Sequence, residues 1–338
     1  MIKATSETAE MYAAVIRSFG GPDVLDLCRV PRPVPGEGEL LVQVYAAGTN
    51  PVDAQSRADG SWAGIELPAI LGSDASGVVT ARGPGATEFA IGEEVFYLTD
   101  FLGGAPGTYA EYHAVDQTIV AHKPAALDHV RAAALPVAAG TALRVVHDRL
   151  DVQPGDWVLV HGASGGVGTH AVQLAKMRGA RVVASASGER EKLMRDLGTE
   201  VFVDYRSGDV ASLAASAIGT ELDAAVDLVG DGFVERVLPF VREQGRVATV
   251  TELRGDFELA IDRNVTLHGV LVRPSRGLLE ALGQLAAADQ LVSVIDAVHP
   301  LDKVREVHRR LDSGHGRGKV VLAMPVLWEN LKGGADWW

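Results

Sequence analysis

Cysteine is almost missing: Cys28 is the only one in 338 residues. One thiol makes no internal disulfide, no four-cysteine zinc site and no CxxC redox pair. Histidine does not make good the loss. None of the ten histidines stands four residues from another, so HExxH is absent and metal chemistry is not expected. Long apolar runs are lacking too. The longest charge-free one, residues 132–143, is broken by Pro136 and Gly140 and is too short to span a bilayer. The polar residues 1–7 precede no apolar signal core. Positive charge is scarce: 31 Lys and Arg stand against 44 Asp and Glu, a net −13 that repels a phosphate backbone. The expectation is a protein of a reducing compartment, the cytoplasm, with no nucleic-acid or membrane partner.

What is present is an ordinary globular balance, 47% hydrophobic and 22% charged, in a length that suits two domains. Glycine is in excess, 38 residues of 338 against a usual ~7%. Residues 12–125 hold short apolar runs, such as Leu40-Leu41-Val42-Gln43-Val44 and Glu94-Val95-Phe96-Tyr97, between Gly/Pro turns. That texture predicts a mostly antiparallel β domain. From about 130 to 272, apolar strands (157–160, 181–186, 201–203, 224–226, 247–250) alternate with helical patterns, the first from Thr169 to Arg178. This predicts a parallel sheet covered on both faces. Beyond 273 the pattern predicts a helix over 277–288, a strand over 291–295, a charged helix over 302–311 and a strand over 319–322. The tail ends in Trp337-Trp338, two indoles that need packing.

The most informative segment runs Trp157-Val158-Leu159-Val160-His161-Gly162-Ala163-Ser164-Gly165-Gly166-Val167-Gly168. Ala163-x-Gly165-x-x-Gly168 between a strand and a helix is the setting of a dinucleotide-binding turn. Gly165 lets backbone approach a diphosphate, Gly168 lets the helix lie against the strand, and free N–H groups face the anion. The expected cradle is Ser164, Gly165, Gly166, Val167 and Gly168, with Ala163 tolerable where the first Gly is usual if its φ stays negative. A NAD site places an acid about 20 residues further on. Here residues 184–188 hold none, and Glu189, Arg190 and Lys192 follow. Ser187, Arg190 and Tyr205 are therefore expected at a 2′-phosphate, and the cofactor is expected to be NADPH.

Gly162-Ala163-Ser164-Gly165-Gly166 also satisfies G-x-S-x-G, and Asp227 and His268 follow in the order of a hydrolase triad. A serine hydrolase using Ser164 is thus a rival, although it has no need of Gly168. A short-chain dehydrogenase is excluded, because no tyrosine has a lysine four residues on.

Five short segments in order carry a resemblance: Ala46-Ala47-Gly48-Thr49-Asn50-Pro51-Val52-Asp53, Leu71-Gly72-Ser73-Asp74-Ala75-Ser76-Gly77, Gly107-Thr108-Tyr109-Ala110-Glu111-Tyr112, Ala133-Ala134-Leu135-Pro136 and the glycine-rich turn. From about 12 to 323 the chain resembles the medium-chain dehydrogenase/reductase superfamily, in its zinc-free quinone oxidoreductase (zeta-crystallin-like) branch. The resemblance implies an α/β chain in which a Rossmann doubly wound parallel sheet, residues 135–273, is inserted in a GroES-like, mostly β catalytic domain, residues 1–134 plus 274–338. The active site would lie in the cleft between them. The positions of the zinc ligands in metal-dependent members hold Asn50, Ser73 and a residue near Val137, which cannot hold Zn²⁺.

With no metal expected, a neutral donor must stabilise charge developing on an acceptor oxygen. Asn50 is the first choice; the bland reading of the same residue is an Asn-Pro turn that starts a helix. Asp53 is placed with it, as a cap or network residue more readily than as a general acid. Some enoyl reductases of the superfamily carry a tyrosine after Asn-x-x-Asp; Ala54, Gln55 and Ser56 stand here, which leaves solvent as proton source. By the resemblance, Gly230 and Val270 belong to loops on the nicotinamide side, and Thr141 and Lys319 approach the cofactor. The implied activity is hydride transfer from NADPH to a quinone or α,β-unsaturated carbonyl. The alternatives are a biosynthetic enoyl reductase for one intermediate and a cofactor-binding protein with little catalysis. The resemblance also implies a homodimer through the edge strand of the Rossmann sheet, for which 265–272 is the apolar candidate.

Overall fold

A computed structural model describes residues 9–100, 102, 104–314 and 316–331; the predicted indole pair Trp337-Trp338 and the polar residues 1–7 lie outside them. The chain divides into two compact units. One takes residues up to Val137, Arg273–Gln290 and those from Ile295 on; the other takes Ala138–Val272 and Leu291–Val294.

The second unit is built on a six-stranded sheet with every neighbouring pair parallel. Its order is Val201–Asp204, Arg181–Ala186, Trp157–His161, Leu222–Asp227, Val241–Thr249, Thr266–Gly269. This is the Rossmann order, with the reversal at Trp157–His161. The near-continuous apolar strands are possible because both faces are covered: Val158, Leu159 and Val160 have no exposure at all. Leu159, Val183, Ala225 and Val247 form a core with Phe233 and Val237 of the helix Phe233–Val237.

The first unit is GroES-like. Its seven-stranded sheet runs Ile295–Pro300, Lys319–Ala323, Glu39–Gly48, Asp74–Arg82, Glu94–Leu98, Val120–His122, with Tyr112–Asp116 also paired to Glu39–Gly48. The strand Lys319–Ala323 lies antiparallel to the end of Glu39–Gly48, Val321 opposite Gly48. The carboxyl-terminal stretch therefore completes a sheet begun some 270 residues earlier.

Three details depart from the sequence pattern. The first helix of the Rossmann unit spans Gly166–Met177, starting three residues before Thr169, because extended Gly165 caps it. The expected strand over 291–295 begins only at Ile295, in Ile295–Pro300. Leu291–Val294 belongs instead to the second unit, where Gln173 exchanges two 2.9 Å hydrogen bonds with the Val292 backbone and Ser293 meets His170. The first unit also retains Val137, whose N–H donates to Asp74 Oδ1 at 2.8 Å.

Candidate active site

The glycine-rich turn leaves Trp157–His161 at the point where strand order reverses, the usual ligand position of an open α/β sheet. Gly162 makes the sharp exit with φ +82°, and Ala163 keeps out of the positive-φ region, as its side chain requires. A Cβ at Gly168 would lie 2.4 Å from the Gly162 carbonyl oxygen, so only glycine lets this helix come so close. Gly165 is different: its Cβ would meet nothing nearer than 3.5 Å. Within the chain itself Gly165 has room for a side chain, so the backbone there is open to approach. Gly166, Val167 and Gly168 open a 12-residue helix, and their N–H groups precede any intrahelical acceptor. Ser164 is half-buried beside them. An open backbone, a positive helix end and orphan donors fit a diphosphate.

The other predicted contacts of this unit also follow carboxyl ends of parallel strands. Ser187 follows Arg181–Ala186, Tyr205 follows Val201–Asp204, Gly230 follows Leu222–Asp227 and Val270 follows Thr266–Gly269. Arg190 closes the short turn begun by Ser187, and its guanidinium has no ion-pair partner among the described residues. Lys192 pairs with Asp196, and Arg206 with Glu189. Asp204 was not anticipated here. Its Oδ2 lies 2.7 Å from where a Gly188 Cβ would be, while Oδ1 accepts the Arg206 N–H. Thr141 stands apart from this row, buried in the helix Pro136–Leu143.

Asp227 anchors the loop that carries Gly230. Its Oδ1 accepts the Val229 and Gly230 N–H groups at 3.1 and 2.8 Å, and its Oδ2 accepts the hydroxyls of Thr249 and Thr251. Gly230 has φ +89°, a conformation that favours glycine. This corrects the hydrolase reading. Asp227 spends both oxygens on the loop, and among the described residues no hydrogen bond joins it to His268 or either to Ser164. The signal was available in sequence, since a buried aspartate ending a strand before Leu-Val-Gly is a turn anchor.

The first unit gathers a polar cluster. Asn50 is extended (φ −137°, ψ 153°) and caps the helix Pro51–Ala58, with proline at its first position. Asp53, three residues in, accepts the Asn50 backbone N–H at 2.8 Å. It also accepts the Tyr109 hydroxyl at 2.7 Å and, on Oδ1, the Ser73 hydroxyl at 3.0 Å. The Asn50 side chain donates through Nδ2 to Asp74 Oδ2 at 3.0 Å. Its Oδ1 accepts from Lys319 Nζ at 2.5 Å. Asp74 and Ser73 are fully enclosed, and Asn50, Asp53 and Lys319 are each 3% exposed. Two glycines make the room. A Cβ at Gly48 would press on Asp74, and one at Gly72, with φ +102°, on the Tyr109 ring.

Burial pushes the Asp53 carboxyl up to about 6, against the pull of the Tyr109 and Asn50 donors. Burial likewise raises Asp74 although the Lys319 ammonium opposes it, and raises Tyr109 further beside Asp53. Next to Asp53, bounded by Ser56, Ile65, Ile70 and Ser73, is a cavity of about 20 Å³, room for one water.

Asn50 and Asp53 are thus brought together as expected, and Asp53 takes the network role. Lys319, expected at the cofactor, joins this cluster. Its ammonium donates to Thr49 O, Asn50 Oδ1 and Asp74 Oδ2, at 2.9, 2.5 and 3.1 Å. Its three protons are thereby used within the cluster. Tyr109 joined the site without having been singled out for it.

A glycine-rich turn that suits a diphosphate in one unit and a buried polar cluster in the other are compatible with a nucleotide-dependent reductase or dehydrogenase. Residues 36–125 match the alcohol dehydrogenase GroES-like domain, and residues 197–322 match the zinc-binding dehydrogenase family. The human quinone oxidoreductase is 31% identical, over 93% of this chain and 98% of that protein. A mitochondrial NAD(P)H oxidoreductase of Danio rerio, RTN4IP1, is 30% identical over 93% and 91%. The solved quinone oxidoreductase of Coxiella burnetii superposes with a TM-score of 0.87 at 32% identity, over 93% and 99% of the two chains. The chain belongs to the medium-chain dehydrogenase/reductase superfamily. Its relatives there include quinone oxidoreductases, and oxidoreductase activity with a nicotinamide cofactor follows.

The zinc in the name of one matched family does not fit here. The donors around Asn50 are an amide, hydroxyls and two carboxylates, one of them already paired with an ammonium; a dication there would face Lys319. The cluster therefore suits no zinc ion.

Proposed function

We propose that this protein reduces quinones or α,β-unsaturated carbonyl compounds with NADPH, and that it does so without a metal. When bound, NADPH supplies the hydride, and a proton from water completes the hydroquinone or saturated carbonyl product. The cradle of Ser164, Gly165, Gly166, Val167 and Gly168 holds the diphosphate, and the loops of Gly230 and Val270 border the nicotinamide. Ser187, Arg190 and Tyr205 take the 2′-phosphate.

The observation that carries the reading is the state of Asn50. Its Nδ2 has two hydrogens, and one is taken by Asp74. The other has no acceptor among the described residues and serves the oxygen of the substrate, where negative charge develops. One amide donor is modest help, which favours acceptors that are already conjugated and easily reduced. The one-water cavity beside Asp53 supports protonation by solvent. The preference for NADPH rests on the unpaired Arg190 guanidinium and on the absence of acids at 184–188.

We place the protein in the cytoplasm, as a homodimer joined through the edge strand Thr266–Gly269. Among the described residues no helix is long and apolar enough to cross a membrane. A panel of quinones and enones assayed with NADPH and NADH, on wild type and Arg190→Ala, tests the reading. Equal use of both nucleotides by wild type overturns the NADPH preference. Activity confined to a single enone points to a biosynthetic enoyl reductase.

A further inference from the structure

We propose that Lys319 is a positioning residue of this reaction: its ammonium orients and polarises the Asn50 carboxamide, so that the remaining amide N–H binds the oxygen of the hydride acceptor. The proposal rests on the reading of Asn50 as that donor and explains what makes so modest a donor effective.

The orientation of the amide follows from the chemistry of its neighbours. An ammonium only donates and a carboxylate only accepts. Oδ1 must face Lys319 Nζ and Nδ2 must face Asp74, the arrangement found at 2.5 and 3.0 Å. Exchanging the two ends would oppose N–H to N–H and oxygen to oxygen. The second hydrogen of Nδ2 therefore has a single direction. Lys319 is itself fixed, since the Thr49 carbonyl and Asp74 take its other protons. The strand Lys319–Ala323 is locked into the sheet beside Gly48, with Val320 O accepting both the N–H and the hydroxyl of Thr49.

Polarisation follows from the same contact. A cation 2.5 Å from Oδ1 in surroundings of low polarity draws electron density toward the oxygen and strengthens the N–H donors at the other end. Zinc acts on an acceptor oxygen directly; here a cation would act one amide removed. The fold alone gives little reason for the arrangement. An enclosed ion pair usually stabilises no more than apolar residues of the same volume. Its geometry is explained by what it does to Asn50.

Lys319→Met alone leaves the Asp74 carboxylate buried without its cation and is expected to melt early, so the decisive variant is K319M/D74N, which removes both charges. NADPH affinity by calorimetry is expected to stay within about 3-fold of wild type. With 1,4-naphthoquinone and 2-cyclohexenone as acceptors, kcat is expected to fall on the order of 10²-fold while KM changes little, the signature of support felt mainly in the transition state. A second readout needs no turnover. The chain has three asparagines, Asn50, Asn264 and Asn330, so selective ¹⁵N labelling yields three side-chain amide pairs in wild type and a fourth, from position 74, in K319M/D74N. The Asn50 pair, assigned by its loss in Asn50→Ala, is expected to stand downfield in wild type and to move upfield in K319M/D74N. A folded double variant with kcat unchanged, or with the Asn50 amide resonances unmoved, overturns the proposal. If wild type binds NADPH but reduces neither acceptor, the proposed reaction fails by itself, and the amide spectrum of K319M/D74N, read against that of D74N alone, still decides whether Lys319 acts on Asn50.

Discussion

The Tyr109 hydroxyl donates to Asp53 Oδ2 across 2.7 Å, with both side chains enclosed by protein. A buried carboxylate beside a neutral phenol leans on that donor for its charge. Tyr109→Phe removes the donor and leaves the same volume. Stability at neutral pH is expected to drop by about 1–3 kcal/mol, the usual effect of depriving a buried charged acceptor of one partner. Urea denaturation of wild type and variant measures it, and no change would mean that water replaces the phenol.

Asp53 gives the protein a pH dependence with a definite sign. Its carboxyl sits at about 6 in the fold against ~3.9 in an unfolded chain, so between these values the folded state holds the extra proton. Its contribution is full below pH ~4 and is lost as pH rises through 6, a change on the order of 3 kcal/mol. Asp53→Asn keeps acceptors for Tyr109 and for the Asn50 N–H without titrating. The fall in melting temperature between pH 4 and 6 that belongs to this group is expected to vanish in the variant.

His308 acts in the opposite direction. Burial, and then the Arg57 guanidinium beside it, hold its imidazole down to about 3. Nδ1 faces Arg57 Nη1 at 3.1 Å, while Nε2 is buried without a hydrogen-bond partner among the described residues. The neutral ring fits, and a proton is accepted only by the unfolded chain. Stability from this group is present above the unfolded value of ~6.5 and is lost as pH falls toward 3. His308→Asn, which offers Arg57 an oxygen that does not titrate, is expected to reduce acid lability below pH 6.5 in a series of thermal melts.

The two glycines of the cradle should separate folding from binding. At Gly168 an added Cβ meets backbone at 2.4 Å, so Gly168→Ala is expected to lower the melting temperature as well as abolish nucleotide binding. At Gly165 the nearest contact is 3.5 Å, so Gly165→Ala should fold normally and bind NADPH at least 10-fold more weakly, the methyl filling space meant for the diphosphate. Calorimetric titration of both variants checks this. Undiminished affinity in Gly165→Ala would move the cofactor away from this turn.

Features that depend on neighbours in sequence were legible from sequence. The Rossmann strands announce themselves as apolar runs because both faces of a parallel sheet are covered, and the run at 181–186 coincides with the strand Arg181–Ala186. The cradle is equally local: a strand, a glycine turn and a helix start within a dozen residues. The Asn-Pro pair at 50–51 marked a helix start as well as a candidate donor, and Asn50 caps the helix Pro51–Ala58.

What tertiary structure alone decided is which distant groups share a small volume. Lys319 and Asn50 are 269 positions apart, and Tyr109 and Asp53 are 56 apart. No periodicity or spacing joins them. They meet because Lys319–Ala323 pairs with Glu39–Gly48, and because Gly48 and Gly72 lack the side chains that would keep Asp74 and Tyr109 away. A lysine's place in the chain tells its charge but not its partners. Partner choice belongs to the completed sheet, where burial obliges every charge and donor to find a complement.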